Sequence, residues 1–71
     1  MQYRVLFKEN GYPEKVVGTY KTRGEAIDAG VDYNHGYYSC DKKEERKIGL
    51  ELRGWCIIGY TSCEISIEEI E

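Results

Sequence analysis

Stretches that alternate apolar and polar residues with period two bracket this sequence, and a helix-start signal lies between them. Such alternation is what a strand with one buried face requires, because successive side chains point to opposite sides of a sheet. From Gln2 to Lys8, Tyr3, Val5 and Phe7 fall on one face and Arg4, Leu6 and Lys8 on the other. Asn10-Gly11 follows, and both residue types tolerate positive φ, so a turn is expected there. Pro13 lacks an N–H and belongs outside a central ladder. Glu14 to Tyr20 reads as a second strand, joined to the first in an antiparallel hairpin. At the other end, Cys63, Ile65 and Ile67 alternate with Glu64, Ser66 and Glu68, which describes a half-buried strand with an acidic outer face.

Between these stretches, Thr22-Arg23-Gly24-Glu25 has the form of a capping box. The Thr22 hydroxyl can accept from the Glu25 amide, and the carboxylate can reach back to the Thr22 amide. A helix is therefore expected from Arg23 to Tyr33, with Ala26, Ile27, Ala29, Gly30, Val31 and Tyr33 towards a sheet and Asn34 and Gly36 as stop residues. The stretch from Tyr37 to Lys47 is the least readable, although Asp41-Lys42-Lys43-Glu44 also has capping-box form and admits a second short helix. Ile48, Leu50 and Leu52 alternate with Gly49, Glu51 and Arg53, and Gly49 would cost a helix interior about 1 kcal/mol, so a strand is expected over Lys47–Arg53. Trp55 to Tyr60 is apolar on both faces and reads as the central, most buried strand, followed by a turn at Thr61-Ser62.

The fold class expected is α+β. One domain spans residues 1–71, with an antiparallel sheet of four to five short strands and one helix on one face, in the order β-β-α-β-β. The expected core is Val5, Phe7, Val17, Ala26, Ile27, Val31, Leu50, Trp55, Ile57, Ile65 and Ile67. A single core of this size typically supplies roughly 3–5 kcal/mol. Hydrophobic content of 41% is too high for a disordered chain. No apolar run approaches the ~20 residues that span a bilayer, Met1 is followed by no apolar leader segment, and three cysteines are an odd number. A cytoplasmic protein with reduced thiols and no membrane partner is the expectation.

Recognisable chemistry is sparse. His35, Cys40, Cys56 and Cys63 are ligand types that suit zinc, but no CxxC pair is present, so neither a metal nor another cofactor is expected. Cys40 and His35 lack an identifiable orienting group and oxyanion site. Asp28 and Asp32, spaced i, i+4, form an acidic helix face rather than an acid–base pair. No GxGxxG or GxxxxGK[ST] loop occurs. These absences point away from an enzyme.

Seven tyrosines in 71 residues point instead towards contact surfaces. A phenol ring is large and apolar with a polar tip, and a domain this small cannot bury all seven. Tyr37 and Tyr38 are consecutive, so at most one can point inward, and with His35 they form the leading candidate for a partner-binding segment. Charge is segregated along the chain. Residues 1–24 carry five basic and two acidic groups, residues 25–41 four acidic, residues 42–53 five basic and three acidic, and residues 54–71 four acidic, for a net charge of −3. That balance disfavours a general phosphate-backbone binder.

The function expected is a small non-enzymatic binding protein that occupies a surface of a larger macromolecule, with a protein as partner. In character, being short, acidic and without a catalytic set, the profile is similar to phage-encoded inhibitors of host defence such as anti-CRISPR proteins, though no motif carries over. That resemblance implies host-cytoplasm action by charge imitation. Asp28, Asp32, Glu64, Glu68 and Glu69 would meet a basic nucleic-acid groove on the target. The alternative is a small nucleic-acid-binding regulator, in which Tyr3 and Phe7 stack bases beside Arg4 and Lys8 on the first hairpin. A homodimer sharing the acidic last strand as an edge is a further expectation.

Overall fold

The computed structural model of the chain describes residues 1–33, 43–58 and 63–71. Six elements follow in the order β1 (Gln2–Glu9), β2 (Lys15–Tyr20), α1 (Arg23–Asp32), α2 (Lys43–Arg53), β3 (Trp55–Ile58) and β4 (Cys63–Ile70). The strands form one antiparallel sheet in the order β2-β1-β4-β3. Val5 and Phe7 of β1, Cys56 of β3, and Cys63 and Ile65 of β4 pack in one core with Ala26 and Ile27 of α1 and Leu50 of α2. Both helices therefore lie on the same face of the sheet, and the fold is α+β.

The hairpin follows the expected chemistry. Gly11 takes φ +87°, and the Tyr12 amide donates to the Glu9 carbonyl at 3.0 Å. Leu6 pairs with Val16 and Val5 with Gly18, so Val17 is the extra residue of a bulge and turns back to the core. Thr22 caps α1, its hydroxyl oxygen accepting from the Glu25 amide at 3.1 Å. The Glu25 carboxylate accepts from the Thr22 hydroxyl at 3.0 Å, rather than from the Thr22 amide as the capping box implies.

Three expectations need correction. The stretch expected as a strand over Lys47–Arg53 belongs to a second helix, so the order is β-β-α-α-β-β. Glu44 and Glu45 in its first turn and Arg53 in its last complement the helix dipole. Gly54, at φ +83°, ends it by donating to the Leu50 carbonyl at 3.0 Å. The buried positions of α2 are Arg46, Gly49 and Leu50, at helical spacing. Gly49 is there for proximity: a β-carbon would lie 3.1 Å from both the Cys56 Cβ and the Trp55 carbonyl oxygen. Secondly, Trp55 and Ile57 are not core residues. β3 is an edge strand in which Cys56 is buried while Trp55 and Ile57 are 42% and 45% exposed. Thirdly, β4 lies inside the sheet between β1 and β3, so it offers no edge for a second copy to share.

Two arginines tie the helices together. Arg23, the first residue of α1, donates to the carbonyls of Leu50 and Glu51 near the end of α2, at 3.1 and 2.7 Å. Arg46 of α2 is buried, and its Nη1 donates to the carbonyls of Gly30, Val31 and Tyr33 at 3.0, 3.1 and 2.7 Å. Each helix thus supplies a cation to the carbonyl-rich end of the other, where orphan acceptors and the negative end of the dipole coincide. The Nε and Nη2 of Arg46 have no hydrogen-bond partner among the described residues.

Candidate docking face

With both helices on one side, neither covers the opposite face of the sheet. Alternation sends Arg4, Leu6 and Lys8 of β1 to that face, and the register fixes what lies beside them. Leu6 pairs with Val16 of β2 and with Ser66 of β4, and Ser66 pairs with Trp55 of β3. One row across all four strands therefore reads Val16, Leu6, Ser66, Trp55. On one side of it the row reads Lys8, Glu64, Ile57, and on the other Thr19, Arg4, Glu68. Val16, Trp55 and Ile57 are large apolar side chains left exposed, and Leu6 is buried at the centre.

The charges on this face are matched. Arg4 and Glu68 form an ion pair at 3.5 Å, and Lys8 stands opposite Glu64 in the register. The Arg53 guanidinium lies 4.6 Å from the centroid of the Trp55 ring, a cation–π contact that holds the indole flat side towards the cation. The face thus carries exposed apolar side chains on its two edge strands, with charged residues and Ser66 on the two central strands between them.

The residues expected to bind a partner do not converge. Glu64 and Glu68 project from the open sheet face, whereas Asp28 and Asp32 are exposed on α1, which packs on the other side. Asp32 also accepts from Lys43 Nζ at 3.3 Å. His35, Tyr37 and Tyr38 lie outside the described residues, as does Cys40. Among the described tyrosines, Tyr12 is exposed in the hairpin loop, while Tyr3, Tyr20 and Tyr33 pack partly buried against the core. Phe7 is buried, with its ring 5.1 Å from that of Tyr33, so the aromatic rings of β1 face the core and its cations face the opposite side. That arrangement lacks the interleaved rings and cations of a base-stacking surface.

Among the described residues, no group of three or more His, Cys, Asp or Glu side chains is placed to hold a metal ion. Cys63 donates to the Glu9 carboxylate at 3.7 Å, and Cys56 and Cys63 are both buried. No described helix is long and apolar enough to cross a membrane. Comparison of the chain with family models, with curated proteins and with solved structures finds no match.

Sequence reasoning missed Trp55 and Ile57 as surface residues. The signal available was the alternation Trp55, Ile57 against Cys56 within an apolar run, which allows one face of that strand to be open.

Proposed function

We propose that the protein is a small non-enzymatic binding protein that works by covering, and being covered by, another protein through the open face of its sheet. The observation that carries the reading is the exposure of Val16, Trp55 and Ile57 on the face of the sheet that neither helix covers. Exposed aromatic and aliphatic side chains on an uncovered sheet face are the kind of group that anchors an interface, and here they stand on the two edge strands, Val16 on β2 and Trp55 and Ile57 on β3. The reading departs from charge imitation. Glu64 and Glu68 sit among Lys8 and Arg4, and Asp28 and Asp32 belong to the opposite side of the sheet, so these four carboxylates do not share one surface.

The experiment is photo-crosslinking in cells expressing the protein, with a benzophenone amino acid introduced at position 57 and, as a comparison, at position 28 on α1. Protein adducts are expected from position 57. Their absence there, or adducts formed from position 28 alone, overturns the assignment of the sheet face.

A further inference from the structure

We infer that the free edge of β3 takes up an extended segment of a different protein as an added strand, and that this segment brings a carboxylate to Arg53. The inference rests on the reading of the open face as a docking surface and locates its centre at one edge. β3 has a single neighbour, β4. The Ile67 amide donates to the Gly54 carbonyl at 2.7 Å, one step before the pairing of Trp55 with Ser66. In an antiparallel ladder, alternate residues turn both backbone groups to the same neighbour. Gly54, Cys56 and Ile58 therefore turn theirs to β4, and Trp55 and Ile57 turn theirs outward. Outward N–H and C=O groups at strand spacing are a template for another extended backbone.

Apolar side chains stand on both sides of this edge. On the open face they are Trp55 and Ile57, both exposed. On the helix side they come from α2. Gly49 approaches Cys56 and Trp55, while Leu50 turns to Gly30 and Lys43 to Asp32, both on α1. Leu52 follows Gly49 by three residues, and Ile48 precedes Leu52 by one turn, so this exposed pair lies along the flank of α2 away from α1. Of the seven large apolar side chains left exposed among the described residues, four thus gather at one edge, and an added strand would meet them with its two alternating sets of side chains. The opposite edge, β2, is built otherwise. It carries Lys15 and the bulge at Val17, and both discourage pairing.

Arg53 supplies the selectivity. Its guanidinium lies 4.6 Å from the centroid of the Trp55 ring, and its Nη2 lies 2.8 Å from where a β-carbon on Gly49 would stand, so the cation sits beside the edge at the Trp55 end. Arg4 and Lys43 each have a carboxylate partner, and among the described residues Arg53 has none. A neutral strand added here would cover that charge without compensating it. A strand bringing a carboxylate gains a charge-assisted hydrogen bond instead, so the same cation excludes one class of segment and admits another. In an antiparallel addition, the residue level with Trp55 comes two after the residue level with Ile57. The segment expected therefore has a β-branched residue level with Ile57, an apolar residue next to it on the α2 side, and Asp or Glu after that.

The test selects random seven-residue peptides displayed on phage against the full chain. Enrichment of the apolar–apolar–acidic order is expected. N-methylation along a synthetic copy of the selected peptide should weaken binding by about tenfold or more at alternate positions only, because alternate amides of an added strand bond to β3. Hydrogen exchange of the Ile57 amide should slow by about tenfold or more when the peptide saturates the protein. R53E, confirmed folded by circular dichroism, should bind the acidic peptide about threefold or more weakly, and should prefer the same peptide with lysine in place of the acid. No enrichment, N-methyl effects without alternation, or an Ile57 amide that exchanges as before overturns the added strand. Unchanged binding by R53E overturns the carboxylate. Crosslinking separates these failures from failure of the docking reading, with benzophenone placed at position 52 as well as at position 57. Adducts to one protein from both positions are expected. Adducts from position 57 without position 52 overturn the edge and leave the open face standing, and adducts to another copy of this chain alone overturn the different protein. No adduct from position 57 removes both readings.

Discussion

Replacing Leu50 by alanine, beside the same change at Leu52, tests the placement of α2 most directly. In a strand these two residues share a face and should cost about the same to truncate. In the helix they part: Leu50 is fully buried against Gly30 and the core, and Leu52 is 77% exposed. Truncating a buried leucine removes its transfer free energy and leaves a cavity, costing about 2–5 kcal/mol. A surface change away from caps and networks stays within about 0.5 kcal/mol. Set against roughly 3–5 kcal/mol for a core of this size, L50A consumes most or all of the stability, while L52A leaves it intact. Urea unfolding at one fixed protein concentration, followed by far-UV circular dichroism, reads the difference. With a slope near 1 kcal/mol per molar for the smallest domains, L50A should shift the midpoint down by about 2 M or more, or show no folded baseline. L52A should shift it by no more than about 0.5 M. Equal shifts for the two variants would refute the helix and restore the alternating strand.

Further outcomes follow from the same packing. Gly49→Ala should destabilise by about 1 kcal/mol or more despite the better helix propensity of alanine, because the Trp55 carbonyl and Cys56 cannot both withdraw; a rise in urea midpoint would contradict the close approach of α2 to β3. Thr22→Ala should cost about 1 kcal/mol through the lost cap, measured in the same titration, and no loss would remove the cap from the account of α1. For Arg46, alanine should be worse than methionine by at least about 1 kcal/mol. Methionine fills the same space and removes two donors that lack partners, whereas alanine leaves both a void and the carbonyls of Gly30, Val31 and Tyr33 without their cation. Hydrogen exchange should quicken at the end of α1 in both variants, and unchanged protection there would show that Arg46 does not hold that end.

Local chemistry was legible wherever a short motif acts through its own backbone. Asn10-Gly11, the alternation of Gln2–Lys8 and Cys63–Glu68, and the cap at Thr22 each specify dihedral angles or a face without reference to distant residues, and each is found as read except that the Glu25 carboxylate meets the Thr22 hydroxyl and not its amide. The second helix was hidden because its inward positions are Arg46, Gly49 and Leu50. A helical stripe made of a cation, a glycine and one leucine has no apolar period of 3.6, while the outward residues Ile48 and Leu52 mimic a period of two with Leu50. Arg46 faces inward because α1 ends beside it, which no count along the chain could disclose.

The candidate face divides the same way. That Arg4, Leu6 and Lys8 share one side of β1, and Glu64, Ser66 and Glu68 one side of β4, is a property of the sequence, since a strand's side chains must alternate. That those two sides are the same side, that Lys8 stands level with Glu64, and that Trp55 continues the row from the edge are products of strand order and register. The pairing of β1 with β4 joins residues some sixty positions apart, the pairing of Trp55 with Ser66 adds the edge strand, and two helices choose one face together. Apolar content alone could not say which of the hydrophobic residues of Trp55–Ile58 would be covered, because burial is decided by what packs on a side chain and not by the side chain itself.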